Sequence, residues 1–166
     1  MAPVPEPADP DDLAEAFLAA GRALLGIVIA SIAAAPVEIT VLQHRVLVLL
    51  AAEGEQTVGR LAEELGVNAS NATRHCDRLE RLGLASRRRS TTDARVVRVG
   101  LTPAGRQLLE TVAKHRRTEV LRVLDRMPAR EQAAAARALD AFNAAAHEDG
   151  STEWVAPSGI TPVAQA

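Results

Sequence analysis

The chain has 166 residues, a formal net charge of −2, 48% hydrophobic residues and 24% charged residues. This length and composition are those of one folded domain and exclude a wholly disordered chain. Aromatic residues make up 2% of the chain, which argues against binding of single-stranded nucleic acid, because that binding stacks bases on aromatic side chains. The single cysteine, Cys76, excludes an intrachain disulfide and a zinc site built from several cysteines.

Residues 1–10 contain four prolines and predict a disordered arm. Residues 11–35 predict a helix that is apolar on nearly every side, so it should be buried against more than one partner. In a chain this short we expect the second partner to be another subunit, which makes this an N-terminal dimerisation helix. Membrane insertion is the competing interpretation, but the apolar run 23–35 is shorter than the roughly 18 to 20 residues that cross a bilayer. Acidic residues precede it where a secretory signal has basic ones, so we expect a cytoplasmic protein without a membrane partner.

Three helices and a β-hairpin are predicted within residues 36–102. A capping box at Thr40–Gln43 opens the first helix, and Thr57 precedes the second. The helices are predicted over 41–53, 58–65 and 69–82, and the hairpin over 84–99 with Val97 and Val99 on its inner face. This order of elements is that of a winged helix-turn-helix unit.

Two further helices are predicted over residues 103–147. Thr102–Pro103 opens a helix to about residue 126, on which Val123 and Leu124 are expected to face inward. Pro128 begins a last helix to about residue 146, and residues 148–166 have the composition of a flexible tail. The expected fold is therefore mainly α with a small β-hairpin wing, and its winged helix-turn-helix unit is flanked by helices on its N- and C-terminal sides.

Positive charge is concentrated in the middle of the chain. Between Arg74 and Arg98 there are eight arginines and three acidic residues, a local net charge of +5 in a chain whose total is −2. A confined positive face on a neutral-to-acidic body is typical of a protein that binds double-stranded DNA.

The helix over 69–82 has the pattern expected of a recognition helix. One face carries Ala72, Cys76 and Leu79 and is expected to be buried. The opposite face carries short polar side chains and one guanidinium, which suit reading of base edges in the major groove: Ser70, Asn71, Thr73 and Arg74. An ordinary solvated helix face is the alternative for each of these residues taken singly.

Two adjacent stretches carry a family resemblance: Thr57–Gly66 (TVGRLAEELG) and Val67–Leu84 (VNASNATRHCDRLERLGL). Together with Asp93–Arg95 and Leu101–Gly105, they resemble the MarR family of bacterial transcriptional regulators. The resemblance covers residues 12–146. It implies a homodimer built from the first and the last two helices, so that the DNA-binding unit is flanked by N- and C-terminal dimerisation helices. Such a homodimer binds a palindromic operator, usually as a repressor, and is often released by a small aromatic or phenolic effector or by thiol oxidation.

The resemblance also implies roles for individual residues. It assigns base reading in the major groove to Ser70, Asn71, Thr73 and Arg74. It places Arg95 in the minor groove, with its guanidinium held by Asp93. It assigns phosphate contacts to Thr57, Asn68, Arg78, Arg87, Arg88 and Arg89. Three adjacent arginines cannot all face one side of a strand, so a solvated surface charge is the alternative within that run.

Two residues of the recognition helix have alternative interpretations. His75 stands where the family usually has an aliphatic residue, and it is either a neutral packed ring or, when protonated, a cation near phosphate. Cys76 is interpreted as a small buried hydrophobe, with oxidation sensing as the alternative. The other histidines, His44, His115 and His147, have no metal-ligand spacing, so no metal is expected.

Three classes of function remain to be compared. The favoured hypothesis is a sequence-specific dimeric regulator, and the alternative is a nonspecific architectural DNA-binding protein that uses the same basic face. The sequence has no phosphate-binding Gly-rich loop and no nucleophile–base motif, so we expect neither enzymatic activity nor a cofactor. An effector pocket is expected between the DNA-binding unit and the dimerisation helices, with Leu25, Leu42, Val46 and Leu109 as apolar candidates for its lining.

Overall fold

A computed structural model describes residues 9–89 and 97–148. These residues form six α-helices and three short β-strands: α1 (Pro10–Ala33), α2 (Val41–Glu53), β1 (Gln56–Thr57), α3 (Val58–Leu65), α4 (Ala69–Arg81), β2 (Ala85–Arg89), β3 (Val97–Leu101), α5 (Pro103–Leu124) and α6 (Ala129–Glu148). The predicted mainly helical fold with a small hairpin is therefore confirmed. The greater part of the predicted N-terminal arm and of the C-terminal tail lies outside the described residues.

Local capping signals explain why most helix boundaries agree with the sequence. The Thr40 side chain accepts a hydrogen bond from the Gln43 backbone N–H, and the Gln43 side chain accepts one from the Thr40 backbone N–H, which completes the predicted capping box. Helix α1 ends at Ala33 rather than at residue 35, and α5 ends at Leu124 rather than near residue 126. The predicted ends were set by Pro36 and Pro128, and without a glycine cap each helix ends three or four residues before its proline.

The sheet contains one strand that the sequence did not predict. Strand β1 pairs antiparallel with β3, which in turn pairs with β2, so the strand order is β1-β3-β2. A two-residue strand is too short to show an alternating pattern, and only its partner defines it. Val99 is buried as expected, whereas Val97 is 41% exposed, so the prediction of an inward-facing Val97 is wrong.

The core lies where α2, α3, α4 and the start of α5 meet the sheet. Its fully buried members are large aliphatic side chains, among them Val46, Leu47, Leu50, Leu61, Leu79 and Val112. Helix α1 enters this core through its C-terminal end, where Ile32 is buried. The helices that carry the predicted recognition residues are thus anchored on one continuous apolar cluster.

The rest of α1, the C-terminal half of α5 and α6 expose apolar side chains to solvent. Exposed members include Leu18, Leu25, Ile29, Leu121, Val123, Leu139 and Phe142. Val123 was expected to face inward, but it is 40% exposed, because α6 does not cover that part of α5 within one chain. The rings of Phe17 and Phe142 stack with their centroids 4.7 Å apart, which ties α1 to α6.

Helix α1 also meets the length and hydropathy of a membrane-spanning helix. It has 24 residues, its most apolar 18-residue window has a mean hydropathy of 2.0, and 11% of that window is buried. The same properties fit a helix that packs against another protein, so this feature alone does not distinguish a membrane from a second subunit.

The start of α5 is tightly joined to the turn between α4 and β2. The Thr102 hydroxyl donates to the Gly83 carbonyl at 2.7 Å, and the Thr102 backbone N–H donates to the Leu84 carbonyl at 3.2 Å. A Cβ atom at Gly105 would lie 2.2 Å from the Leu84 carbonyl oxygen. Only glycine therefore permits this approach of α5 to the backbone that leads from α4 into β2.

We expect Gly105→Ala to destabilise the protein by about 2 kcal/mol or more, because the added methyl must displace backbone atoms. The matched control is Gly59→Ala, since Gly59 lies in α3 and a Cβ there would meet only the Thr57 hydroxyl oxygen at 4.0 Å. That control should be neutral or up to about 1 kcal/mol stabilising, because alanine is the better helix former. Urea unfolding of the two variants measures the difference. Equal unfolding free energies for both would contradict the tight junction.

Candidate nucleic-acid interface

The N-termini of α3 and α4 are each capped by a side chain that was predicted to bind phosphate. The Thr57 hydroxyl caps α3 by accepting from the Arg60 backbone N–H at 3.2 Å. The Asn68 side-chain oxygen caps α4 by accepting from the Asn71 backbone N–H at 2.8 Å. Both residues therefore stand at helix N-termini, where the helix dipole favours an anion.

Packing fixes which side of α4 faces solvent. Ala72, Cys76 and Leu79 are all at most 1% exposed, which confirms the predicted buried face. The predicted base-reading residues lie on the remaining surface: Ser70, Thr73 and Arg74 are exposed, and Asn71 is partly buried. The structure therefore brings these four side chains together on one outward surface of a single helix.

Two hydrogen bonds within α4 restrict what this surface can offer. The Arg74 guanidinium donates to the Asn71 side-chain oxygen, and the Thr73 hydroxyl donates to the Ala69 carbonyl at 2.7 Å. The Asn71 amide then keeps its N–H donors for another partner, while the Thr73 oxygen can still accept a hydrogen bond. These two hydrogen bonds thus orient the Asn71, Thr73 and Arg74 side chains, which carry the donors and acceptors that suit base edges.

The β2–β3 register separates the three adjacent arginines. Arg87 lies opposite the buried Val99, so its side chain starts on the inner face of the sheet. Arg88 lies opposite Arg98 on the other face, and both residues are exposed. Like charges directly across an antiparallel pair repel each other, so an anion beside this pair would be favoured.

Arg98 was not among the residues predicted to contact DNA. Its guanidinium donates to the Glu55 carbonyl at 3.3 Å, which links β3 to the segment that precedes β1. Because Arg98 alternates with the apolar Val99, the sequence could have predicted that Arg98 lies on the outer face of the strand. The sequence could not have predicted that Arg98 lies opposite Arg88, because that pairing depends on the strand register.

Arg87 has a different environment from its two neighbours. Its guanidinium lies 2.6 Å from an Asp77 carboxylate oxygen and 3.4 Å from a Glu80 carboxylate oxygen, both on α4. Its side chain is 27% exposed, whereas Arg88 and Arg89 are exposed residues. The other predicted phosphate ligand, Arg78, is partly buried on α4. Asp93 and Arg95 lie outside the described residues.

Cys76 has the surroundings of a packing residue. Burial raises the pKa of its thiol, which disfavours the reactive thiolate, although the nearby Arg87 opposes this change. These surroundings agree with the interpretation of Cys76 as a small buried hydrophobe. His75, its neighbour, is partly buried.

The four candidate effector-pocket residues do not share one environment. Val46 and Leu109 belong to the buried core, while Leu25 and Leu42 are 55% and 38% exposed. A polar cluster that the sequence did not predict lies where α1, α2 and α5 meet. There the Arg116 guanidinium donates to the buried Ser31 hydroxyl at 3.3 Å, and burial together with the Arg116 charge lowers the pKa of His44 to about 4.

Comparison with known proteins gives this arrangement a family context. The sequence profile of the MarR family matches residues 39–97, which span α2 to the beginning of β3. YfiV of Bacillus subtilis (strain 168), described as an uncharacterized HTH-type transcriptional regulator, is 31% identical over 103 residues. That alignment covers 62% of this chain and 64% of YfiV, so just under two thirds of the relative is spanned.

Solved structures share the fold over most of the chain. RV1404 from Mycobacterium tuberculosis is 36% identical, with a TM-score of 0.76 over 86% of this chain and 98% of that protein. FabT from Streptococcus pneumoniae, crystallised in complex with DNA, is 22% identical, with a TM-score of 0.63 over 84% of this chain and 99% of that protein. The likeness to FabT concerns the fold alone.

Proposed function

The chain belongs to the MarR family of transcriptional regulators, and from this premise we propose that it binds a palindromic operator in double-stranded DNA as a homodimer, represses transcription and acts in the cytoplasm. The observation that carries the proposal is the outward polar surface of α4. The buried apolar face of α4 holds this surface outward, and it lies beside wing strands on which Arg88, Arg89 and Arg98 are exposed. A helix of this kind enters the major groove with its N-terminal residues at base edges.

Side-chain chemistry determines which residues are proposed to read bases and which are proposed to contact phosphates. Ser70, Asn71, Thr73 and Arg74 would read bases, because their donors and acceptors match base edges. Phosphates would be contacted by the helix-capping residues, by one partly buried arginine of α4 and by exposed arginines of the wing strands: Thr57 and Asn68, then Arg78, then Arg88, Arg89 and, in addition to the sequence-based set, Arg98. Arg95 in the minor groove, held by Asp93, remains part of the proposal. FabT supports the proposal insofar as the shared fold accommodates DNA in that protein.

The proposed homodimer is supported by the apolar surface that one chain leaves uncovered. Leu18 and Leu25 of α1 are 57% and 55% exposed, and Phe142 of α6 is 50% exposed. Monomeric proteins rarely expose large contiguous apolar patches, so a second copy that contributes the same helices would bury this surface. Two copies of α4 could then meet half-sites about one helical turn apart, roughly 34 to 36 Å.

We further propose that a small aromatic or phenolic acid releases the DNA by binding near Arg116. The Arg116 guanidinium is partly buried, and among the described residues it forms no ion pair with a carboxylate. A partly desolvated cation without a counter-charge favours an anionic ligand, and the neighbouring His44 is neutral at pH 7 because its pKa is about 4.

Selection of bound duplexes from a random pool should return a palindrome, and two variants then test the roles of the residues. Arg74→Ala should relax the preference for one base per half-site, because a base-edge contact supplies about 1–3 kcal/mol of discrimination. Arg88→Ala should weaken binding to all sequences alike. It should also reduce the slope of log affinity against log salt concentration by about 0.9 for each phosphate that is no longer neutralised, or about 1.8 per dimer. Salt titrations on the selected duplex and on a scrambled duplex measure both effects.

Two results would contradict this assignment. A selection that returns no preferred sequence, together with unchanged salt-dependent binding, would favour the nonspecific architectural alternative. Identical behaviour of the two variants in base preference and in salt slope would show that the assigned roles are wrong.

The homodimer is tested by placing a charge on the exposed apolar surface. Leu25→Glu should shift sedimentation equilibrium from dimer toward monomer, because a carboxylate would be desolvated at the interface. Val97→Glu is the matched control, since Val97 is also exposed but lies on the wing strand β3, and it should remain dimeric. A wild-type protein that is monomeric at micromolar concentration, or that cosediments with lipid vesicles, would contradict the proposed dimer and favour the membrane interpretation of α1.

The effector site is tested with benzoate as the probe and with benzyl alcohol as its neutral analogue. Benzoate at millimolar concentration should release the selected duplex more effectively than benzyl alcohol, because only benzoate brings a negative charge to Arg116. Arg116→Gln should abolish the difference between the two compounds, while Arg117→Gln, on the exposed side of α5, should preserve it. Equal effects of both compounds on the wild-type protein would contradict an anion-selective site.

A further inference from the structure

The arginine that begins the basic run of the wing faces the protein rather than solvent. Arg87 places Nη2 2.6 Å from Asp77 Oδ1 and Nη1 3.4 Å from Glu80 Oε2, so its two terminal nitrogens contact two different carboxylates. Asp77 and Glu80 are three residues apart on α4, so they lie on the same side of that helix. One guanidinium therefore connects β2 to α4.

The strand register explains why this arginine, and not the next one, makes the connection. Arg87 lies opposite Val99, which is 1% exposed, so both side chains start on the face of the sheet that is turned toward the core. Arg88 starts on the other face, opposite Arg98. The sequence alone predicts that the three adjacent arginines cannot share one face of the strand, but it does not identify Arg87 as the one that turns inward.

We propose that Arg87 is a positioning residue that clamps the wing to the recognition helix, and that it does not contact phosphate. The inference rests on the proposed function, because the clamp would set the angle between the two elements that meet DNA. The two carboxylates already neutralise the Arg87 charge, so little of it remains for a phosphate. The planar, forked guanidinium is suited to bridging two acceptors, which the single ammonium of lysine is not.

The direction in which DNA affinity changes in one variant distinguishes the clamp from a direct phosphate contact. Removing the negative charges with Asp77→Asn/Glu80→Gln makes the DNA-binding face more positive. If Arg87 binds phosphate, this change frees it and strengthens binding to DNA. If Arg87 acts as a clamp, the same change loosens the wing, and binding should weaken on the order of threefold to tenfold.

The experiment measures the affinity of the full-length protein for the selected duplex and for a scrambled duplex. The proteins are the wild type, Arg87→Gln, Asp77→Asn/Glu80→Gln and the triple variant, together with Arg87→Lys. The clamp predicts that the triple variant binds no more weakly than Arg87→Gln, because all of these changes break the same contact. It also predicts that Arg87→Lys behaves like Arg87→Gln, although lysine would serve well as a phosphate ligand.

Two control variants complete the design. Arg88→Gln combined with Asp77→Asn/Glu80→Gln should give additive losses of affinity, since Arg88 is not part of the clamp. Glu63→Gln removes an exposed carboxylate of α3 and reports the general effect of one less negative charge. The urea unfolding midpoints of all variants should stay close to that of the wild type, because partly exposed ion pairs contribute little to stability.

Each outcome has a distinct meaning. Tighter DNA binding by Asp77→Asn/Glu80→Gln, or full activity of Arg87→Lys beside a defective Arg87→Gln, would overturn the clamp while leaving the proposed function intact. Failure of the wild-type protein to bind either duplex at low salt would instead overturn the proposed function, and the role of the clamp with it.

Discussion

The burial of one narrow stripe of α4 is the constraint on which the candidate interface depends. Ala72, Cys76 and Leu79 recur at helical spacing and are almost completely buried, so α4 cannot rotate without exposing them to water. The polar residues on the remaining surface, Ser70 to Arg74, therefore have a fixed direction. Capping by Asn68 fixes where the helix begins, and the two constraints together determine which side chains stand at its exposed N-terminal end.

Features that depend on a few neighbouring residues could be predicted from the sequence. The capping box at Thr40 and the buried stripe of α4 each depend on side chains within one or two turns of helix. Their physical causes are local hydrogen bonds and local periodicity, and these are visible in a single sequence. The bounds of α2 and α3 agree with prediction for the same reason.

Features that depend on residues far away in the sequence were either not predicted or predicted wrongly. Strand β1 exists because Gln56 and Thr57 lie beside β3, about forty residues later in the chain. Val123 was expected to be buried because it is apolar, but one chain provides no cover for that part of α5. Arg87 was grouped with Arg88 as a phosphate ligand; alternation places the two on opposite faces of a strand, but only the β2–β3 register shows that Arg87 is the one that faces inward.

The same register explains how a chain with a net charge of −2 can present a positive face. Two of the three acidic residues between Arg74 and Arg98 pair with Arg87 on the inner face of the sheet, where the three charges sum to −1, while Arg88 and Arg98 lie on the outer face. The turn that leads from α4 into β2 is in turn joined to the start of α5 by Thr102 and the close approach of Gly105. Short contacts therefore link three elements: ion pairs of Arg87 join α4 to the wing strand β2, and Thr102 joins the turn between them to the first turn of α5. In the proposed dimer, a displacement of α5 would be passed to α4 and the wing strands together, which would couple the spacing of the two copies of α4 to the packing of the helices between them.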